Sequence, residues 1–401
     1  MNKKKYLHVM SEKSVTEASI ELFNDTNNGN NVFVINEKYN ETFKTNYLED
    51  DKIIYGAFTD PLFHNYIKQE FKFKAIIIHG LSLDKAFITN KLKGNEIIVW
   101  LTVGGDLHNN HFLNKSLLQQ ETSKIVNGKL KHVLSQNKLL KSISNTLTKY
   151  LRNFSTNFKV YKKFYKIVDY VTTPIPDEYE LIKKSTLIDA EYLDFEYPNN
   201  GINKLLKSSN EDLSEKRNLY IGSSASPTSN HMDVLKNLST IDISNRKIIV
   251  TLSYKVSSKE YVEEIIKYGK SCFGQMFLPV MNYQSFNEYV NSLNSCGFAI
   301  FNHERQEAIG SIRICLYKGL KVYLSENNVF YKYLKRKGFT IFSTQSDLVD
   351  YKSLDKELSD IEKKNNQKLI KELLERENPR KLAQNLISKI NSRSKSNKKQ
   401  H

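Results

Sequence analysis

The stretch 298-FAIFNHERQEAIGSIRICLYKGLKVYL-324 contains one complete structural unit. Residues 298–301 are apolar and predict a strand. They run into a loop holding His303, Glu304, Arg305, Gln306 and Glu307. A helix is predicted over 309–318 and a second strand over 320–324. Two strands joined by a crossover helix pair in parallel, because the helix carries the chain back to the end where it started. Working outward, the same alternation continues. Further strands are predicted at 218–221, 247–252 and 339–342, and helices at 228–239, 258–268, 283–295 and 328–336.

The first half repeats the pattern. Short apolar runs at 6–10, 32–35, 53–55, 75–78 and 97–101 predict strands. Helical patterns lie between several of them, at about 15–23, 60–70 and 84–93. "VDYVTTPIP" at 168–176 reads as one more strand and a turn. Residues 199–217 are polar and turn-prone and read as a linker. In "NPRKLAQNLISKI", Asn378 is placed as an N-cap and Pro379 at the first helical position. The sequence therefore predicts an α/β protein of two doubly wound domains. The expected boundaries are 1–198, a linker 199–217, 218–347, C-terminal helices 348–391 and a disordered basic tail 392–401. A length of 401 residues suits two such domains. In sheets of this kind, ligands sit outside the carboxyl ends of the strands. In a two-lobed version those ends face each other across a cleft.

Charge restricts the partners. The net charge is +16, which points to nucleic acid, a phospholipid surface or a phosphorylated substrate. Between His111 and Val168, eleven Lys and one Arg stand against one acid, Glu121. Aromatic residues Phe154, Phe158, Tyr161, Phe164 and Tyr165 interleave with them. This basic helical insertion, about 111–168, suits any of these anionic partners. No nucleic-acid-binding motif is recognisable. No apolar run approaches the roughly 20 residues of a membrane span, and "MNKKKYLHVM" reads as a first strand rather than a leader. A cytoplasmic protein is expected. Cys272, Cys296 and Cys315 form no CxxC and are expected to be reduced thiols.

Chemistry-bearing residues cluster at strand exits. No Asp-x-Asp strand end, GxxxxGK[ST], GxGxxG or GxSxG occurs, and Asp194 with Glu196 makes only a weak metal pair. In the first domain, His8 lies in the first strand, His79 and Gly80 follow "AIII", and Gly104, Gly105 and Asp106 follow "IIVWLTV". These are expected to share a pocket, with a helix cap as the competing role of Asp106. In the second domain, Gly222, Ser223, Ser224 and Asn230 lie between a strand and a helix, where small residues let backbone amides approach an anion. Arg305 offers a bidentate donor to a phosphate, Glu304 or Glu307 an acceptor for hydroxyls, and Gly310 and Ser311 open a helix whose N-terminus carries partial positive charge.

Several of these pieces resemble a known family in the same order. "LHVM" at 7–10, "IIIHG" at 76–80, "VWLTVGGDLH" at 99–108, "YIGSSASPTSNHMDVL" at 220–235 and the opening stretch resemble glycosyltransferase family 56. These are the bacterial 4-acetamido-4,6-dideoxygalactose (TDP-N-acetylfucosamine:lipid II) transferases of enterobacterial common antigen. The likeness covers much of the first 110 residues and most of 218–347. Val103, His108, Ser223, Glu307 and Ala308 depart from the family's Trp, Tyr, Asn, Gln and Gly.

The resemblance implies a GT-B fold, a TDP- or UDP-sugar donor, inversion at the anomeric carbon and a polyprenyl-diphosphate-linked acceptor. No cofactor or metal is expected. With it, Asp106 is the expected catalytic base and His79 the second choice. His8, Gly80, Gly104 and Gly105 become acceptor-side residues. Gly222, Ser223, Ser224, Asn230, Glu304, Arg305, Gln306, Gly310 and Ser311 become donor-side residues. With a lipid-linked acceptor implied, the enzyme is expected to sit peripherally on the inner face of the plasma membrane, docked on its anionic surface through the basic segment 111–168 with the aromatics partly inserted. Another GT-B transferase of capsule, O-antigen or glycoprotein glycan synthesis, or a non-catalytic binding protein, remain the alternatives.

Overall fold

The computed structural model describes residues 5–11, 16–27, 29–36, 53–109, 116–136, 156–185, 187–198, 202, 217–243, 246–254 and 256–396. The chain divides into two compact units. One comprises residues 1–114, 145–198 and 376–401; the other comprises 115–144 and 199–375.

The first unit is built on a parallel sheet. Its strands are β1 (Lys5–Met10), β2 (Asn31–Asn36), β3 (Ile53–Gly56), β4 (Phe73–His79), β5 (Ile97–Leu101), β6 (Tyr170–Thr172) and β7 (Glu191–Tyr192), in the order β3-β2-β1-β4-β5-β6-β7. Every recorded pairing is parallel. The two-residue period of a strand sorts its side chains onto two faces. Leu7, Val9, Ile76, Ile78, Ile98 and Trp100 pack on one face, against helices Leu83–Leu92 and Thr156–Tyr165 among others. Tyr6, Met10, Phe33, Ile77 and Val99 pack on the other, with helix Thr16–Asn27.

The second unit repeats the design. Strands β8 (Asn218–Ile221), β9 (Ile248–Thr251), β10 (Phe277–Val280), β11 (Cys296–Phe301), β12 (Lys321–Leu324) and β13 (Phe342–Ser343) run in the order β10-β9-β8-β11-β12-β13. All pairings are again parallel. Strand order reverses between β1 and β4 in one sheet and between β8 and β11 in the other. Those reversals mark where loops diverge and leave room for a ligand.

Three expectations change. Segment 115–144, expected in the first domain, belongs to the second unit, where it contributes helix Gln120–Gln136. The final helix, Pro379–Ser396, packs on the first unit instead of standing apart, and it runs past residue 392 where a frayed tail was expected. Ala383, Leu386, Ile387 and Ile390 join the face that holds Phe23 and Phe33. Tyr6 donates to Asn391 Oδ1 at 2.6 Å, and Arg393 pairs with Asp169 at 2.8 Å.

The aromatic stripe of 154–165 is the third change. Phe158, Tyr161, Phe164 and Tyr165 are buried, and Tyr165 stacks on Trp100 at 6.1 Å between centroids. Lys159, Lys162, Lys163 and Lys166 stay exposed. The helix is amphipathic, so its rings form the first unit's core and are not available to enter a bilayer. Phe154 lies outside the described residues, as does most of the expected linker. Cys296 and Cys315 are buried and Cys272 exposed, and all are free thiols.

Candidate functional site

In the second unit, the loops leaving β8 and β11 flank the reversal point. After β8 the chain turns at Gly222, whose amide donates to Ile300 O at 3.1 Å. A Cβ here would lie 2.4 Å from Phe301 Cε1, so glycine is required by packing against the neighbouring strand. Ser223 follows, half-buried. Ser224 and Ser229 pair through their hydroxyls at 3.2 Å, and both are buried. The predicted helix start at Asn230 is a left-handed residue, φ 52°, just before helix His231–Leu238. Its side chain does not face an open site. Asn230 Oδ1 accepts from Gln119 N at 2.9 Å, and Nδ2 donates to Asn302 O at 2.9 Å and Leu117 O at 3.1 Å. Asn230 is thus a brace between loops rather than a donor contact.

The loop after β11 carries the charge. Arg305 Nη2 pairs with Glu307 Oε2 at 3.0 Å, and Thr228 Oγ1 donates to the same oxygen at 3.1 Å. That bond ties the β8 loop to the β11 loop. Asn328, the N-cap of helix Val329–Arg336, donates to His303 O at 3.1 Å and Arg305 O at 2.7 Å. It fixes the backbone from which Arg305 projects. Glu304 and Gln306 are buried.

The chain then passes through Ala308, φ 61°, into helix Ile309–Tyr317, which has no side-chain cap. Ala308 O accepts from Ile312 N at 2.9 Å. Gly310 and Ser311 stand in the first turn, where amide N–H groups have no intrahelical partner. An uncapped helix N-terminus behind an arginine loop is chemically suited to an anion with several oxygens.

In the first unit, strand alternation puts His8 on the face covered by helix Thr16–Asn27. It is fully buried, stacked on Phe33 at 4.6 Å, and so lines no acceptor site. A chain of hydrogen bonds follows. Asn31 Nδ2 donates to Phe23 O at 2.8 Å, which turns Asn31 Oδ1 toward His8 Nε2 at 3.2 Å. His8 Nδ1 meets His79 Nε2 at 3.0 Å, and His79 Nδ1 meets Tyr197 Oη at 3.3 Å. With each ring neutral, the assignment that satisfies every contact has His8 donating to Asn31, His79 to His8 and Tyr197 to His79. Burial lowers His8 to about 3. Burial, then His8 and Lys85, hold His79 well below the ordinary imidazole value. His79 is therefore a weak proton acceptor, contrary to its expected role as a base.

Asp106 is also committed. Its Oδ2 accepts from Leu81 N at 2.8 Å and Trp100 Nε1 at 2.9 Å; its Oδ1 accepts from Val103 N at 2.9 Å and Leu107 N at 3.2 Å. Four N–H donors occupy the carboxylate, so Asp106 organises the turn after β5; it lies within helix Gly105–Asn109 and not at its N-cap, and acting as a base would require one of these bonds to open. Gly80, φ 62°, and Gly104, φ 79°, occupy left-handed positions in the same turns, and Gly105 opens the short helix Gly105–Asn109. A Cβ on Gly80 would sit 2.9 Å from Val103 Cγ2. These glycines serve chain reversal.

Sequence reading missed several residues. Lys85 is buried and donates to the carbonyls of His79 and Gly80, neutralising the end of β4. His108 Nε2 meets the buried Glu178 at 3.4 Å. Gln119 and Asn302 face each other at the exit of β11. Only the Asn328 cap before "VFYKYL" carried a local signal. Among the described residues, no group of three or more His, Cys, Asp or Glu is placed to hold a metal, and no helix is long and apolar enough to cross a membrane. A cavity of about 450 Å³ lined by Glu121, Ile125, Met232, Lys236 and Tyr268, among others, includes none of the expected site residues.

The family model described as 4-alpha-L-fucosyltransferase, glycosyl transferase group 56, matches residues 185–369. That span holds both loops at the second reversal point. Solved structures share the architecture. The N-terminal domain of Candida albicans trehalose-6-phosphate phosphatase superposes with a TM-score of 0.62 at 11% identity, covering 97% of both chains. An α,α-trehalose-phosphate synthase (UDP-forming) from Burkholderia vietnamiensis gives 0.60 at 10% identity, covering 97% of this chain and 100% of the other. WaaG, a glycosyltransferase involved in lipopolysaccharide biosynthesis, gives 0.54 at 9% identity, covering 96% and 99%. At these identities the likeness establishes the fold.

Proposed function

We propose that this chain, a glycosyltransferase of the GT-B fold, moves a deoxy- or acetamido-sugar from a TDP- or UDP-sugar to a lipid-linked glycan. The second domain holds the donor and the first presents the acceptor hydroxyl. The observation that carries this reading is the uncapped N-terminus of helix Ile309–Tyr317, with Arg305 on the loop before it, at the reversal point of a parallel sheet. As the sugar–phosphate bond breaks, negative charge grows on the departing diphosphate. A guanidinium and a set of oriented amides stabilise that charge without reorganising. In this reading transfer proceeds without a divalent cation: the acceptor oxygen, giving up its proton to a general base of the first domain, attacks from the face opposite the diphosphate and inverts the anomeric carbon.

A lipid-linked acceptor places the enzyme on the cytoplasmic face of the membrane. The exposed lysines of helix Thr156–Tyr165 supply attraction to an anionic leaflet, about 1 kcal/mol each near the surface. Binding of this kind is electrostatic and adsorptive, since the rings behind those lysines are buried.

The test is an assay of nucleotide diphosphate release. TDP- and UDP-sugars are offered with a polyprenyl-diphosphate-linked glycan, with and without EDTA. Release that depends on the acceptor and survives EDTA supports the reading. Absence of release with every donor, together with no thermal shift by TDP or UDP, removes it.

A further inference from the structure

Gln119 lies in sequence between two elements of the first unit, yet it packs in the second. Its placement is fastened from both sides. Asn230 accepts from the Gln119 amide at 2.9 Å and donates to Leu117 O at 3.1 Å. Asp233 accepts from the amides of Glu121 at 2.7 Å and Thr122 at 2.9 Å, capping helix Gln120–Gln136. The backbone of 117–122 is thus held by two buried or half-buried side chains flanking the start of helix His231–Leu238.

The side chain it delivers enters an oriented network. Gln119 Nε2 donates to Glu304 Oε1 at 2.7 Å and to Asn302 Oδ1 at 3.2 Å; Asn302 Nδ2 donates to Gln119 Oε1 at 2.6 Å. An ionised carboxylate only accepts, so Glu304 dictates which end of the Gln119 amide faces it. That choice turns Gln119 Oε1 to Asn302 Nδ2, and turns Asn302 Oδ1 to Thr344 Oγ1, which donates at 2.7 Å. Ser325 Oγ donates to the same Glu304 oxygen at 3.0 Å, and Gln345 Nε2 donates to Ser325 Oγ at 3.1 Å. One set of directed bonds runs across the exits of β11, β12 and β13. Two donors on a single oxygen fix the rotation of the Glu304 carboxylate about its own axis.

We propose that Gln119 is a positioning residue for the nucleotide-sugar donor. It acts through Glu304, whose carboxylate it aims at the hydroxyls of the bound donor. The inference rests on the donor-site reading above and adds to it a residue from outside the contiguous second domain. Buried polar networks of this kind rigidify a site when every member is satisfied. Removing one member releases the carboxylate without emptying the site.

The experiment compares wild type, Q119M and the exchange variant Q119E/E304Q. Calorimetry with TDP and with UDP gives donor-side affinity, steady-state assays give KM for donor and acceptor separately, and thermal unfolding gives stability. Q119M preserves volume and removes both polar ends. It is expected to weaken nucleotide binding about 10-fold, a loss of order 1.4 kcal/mol, and to raise donor KM without moving acceptor KM. The exchange variant restores a donor–acceptor pair between the two positions but moves the carboxylate. It is expected to recover the unfolding temperature and not the nucleotide affinity. Unchanged nucleotide affinity in Q119M, equal rises in both KM values, or recovery of affinity by the exchange overturns the inference while leaving the donor reading intact. A wild-type chain that binds neither nucleotide overturns both.

Discussion

Trp100 donates its indole N–H to Asp106 Oδ2 at 2.9 Å, joining the last residues of strand β5 to the turn beyond it. Both groups are buried, and three backbone amides complete the ring of donors around the carboxylate. Asp106→Asn puts an NH₂ group where only acceptors fit. It is expected to cost about 1–3 kcal/mol of stability for the donors left unmatched. Urea denaturation measures this. An unchanged midpoint combined with a large loss of turnover would restore Asp106 as a base.

Arg305 is expected to contribute to donor affinity through charge. Arg305→Ala should weaken TDP or UDP binding by about 1.5–3 kcal/mol, the range for a hydrogen bond to a charged group. The Glu307 partner also loses its cation, so Arg305→Lys is the informative companion: it keeps the charge and loses the planar fork. Equal affinity for wild type and Arg305→Ala in calorimetry would take Arg305 out of the donor site.

Ala308 stands at φ 61°, where the resembled family has glycine. A Cβ in this region costs roughly 1–2 kcal/mol. Ala308→Gly is therefore expected to stabilise the protein by about 0.5–1 kcal/mol, after the added freedom of the unfolded chain is allowed for. A lower unfolding midpoint for the glycine variant would contradict the left-handed assignment.

Burial lowers His8 and His231 to about 3 and holds His79 well below its ordinary value of 6.5. In the unfolded chain these rings titrate near 6.5, so below that pH the unfolded state binds more protons. Their contribution is complete above pH 6.5 and is lost progressively as pH falls toward 3. Each ring costs up to about 1.4 kcal/mol per pH unit over that window. Denaturation midpoints at pH 7, 6 and 5 should fall in that order; a flat series would refute the neutral histidine chain.

Helix Thr156–Tyr165 separates two effects. Phe164→Ala is expected to destabilise the fold by about 3–5 kcal/mol, because the ring is fully buried beside Trp100. Reversing the charge of Lys159, Lys162, Lys163 and Lys166 should leave the core alone and weaken flotation with anionic vesicles at low salt. Vesicle binding unaffected by that reversal would assign membrane attraction to another surface.

Local chemistry made most of the fold legible. The strand 218–221 and the cores of β1 to β5 follow from short apolar runs, and Asp60 before Pro61 and Asn378 before Pro379 mark helix starts by capping. β10 was missed because Pro279 interrupts its pattern. It survives as a strand because it lies at the sheet edge, where a missing N–H is tolerated.

The loops flanking the second reversal point, with Arg305 and the helix opening at Gly310 and Ser311, were readable as strand exits, because turn chemistry acts over a few residues. What the polar residues face was not readable. Whether Asp106 holds a turn or takes a proton depends on Leu81, 25 positions away. Whether the Phe164 ring meets lipid or Trp100 depends on the packing of one helix on one sheet. Glu304 receives Gln119 across 185 positions of chain. Such partners are chosen by backbone crossings that bring distant segments together, and no local propensity encodes that choice.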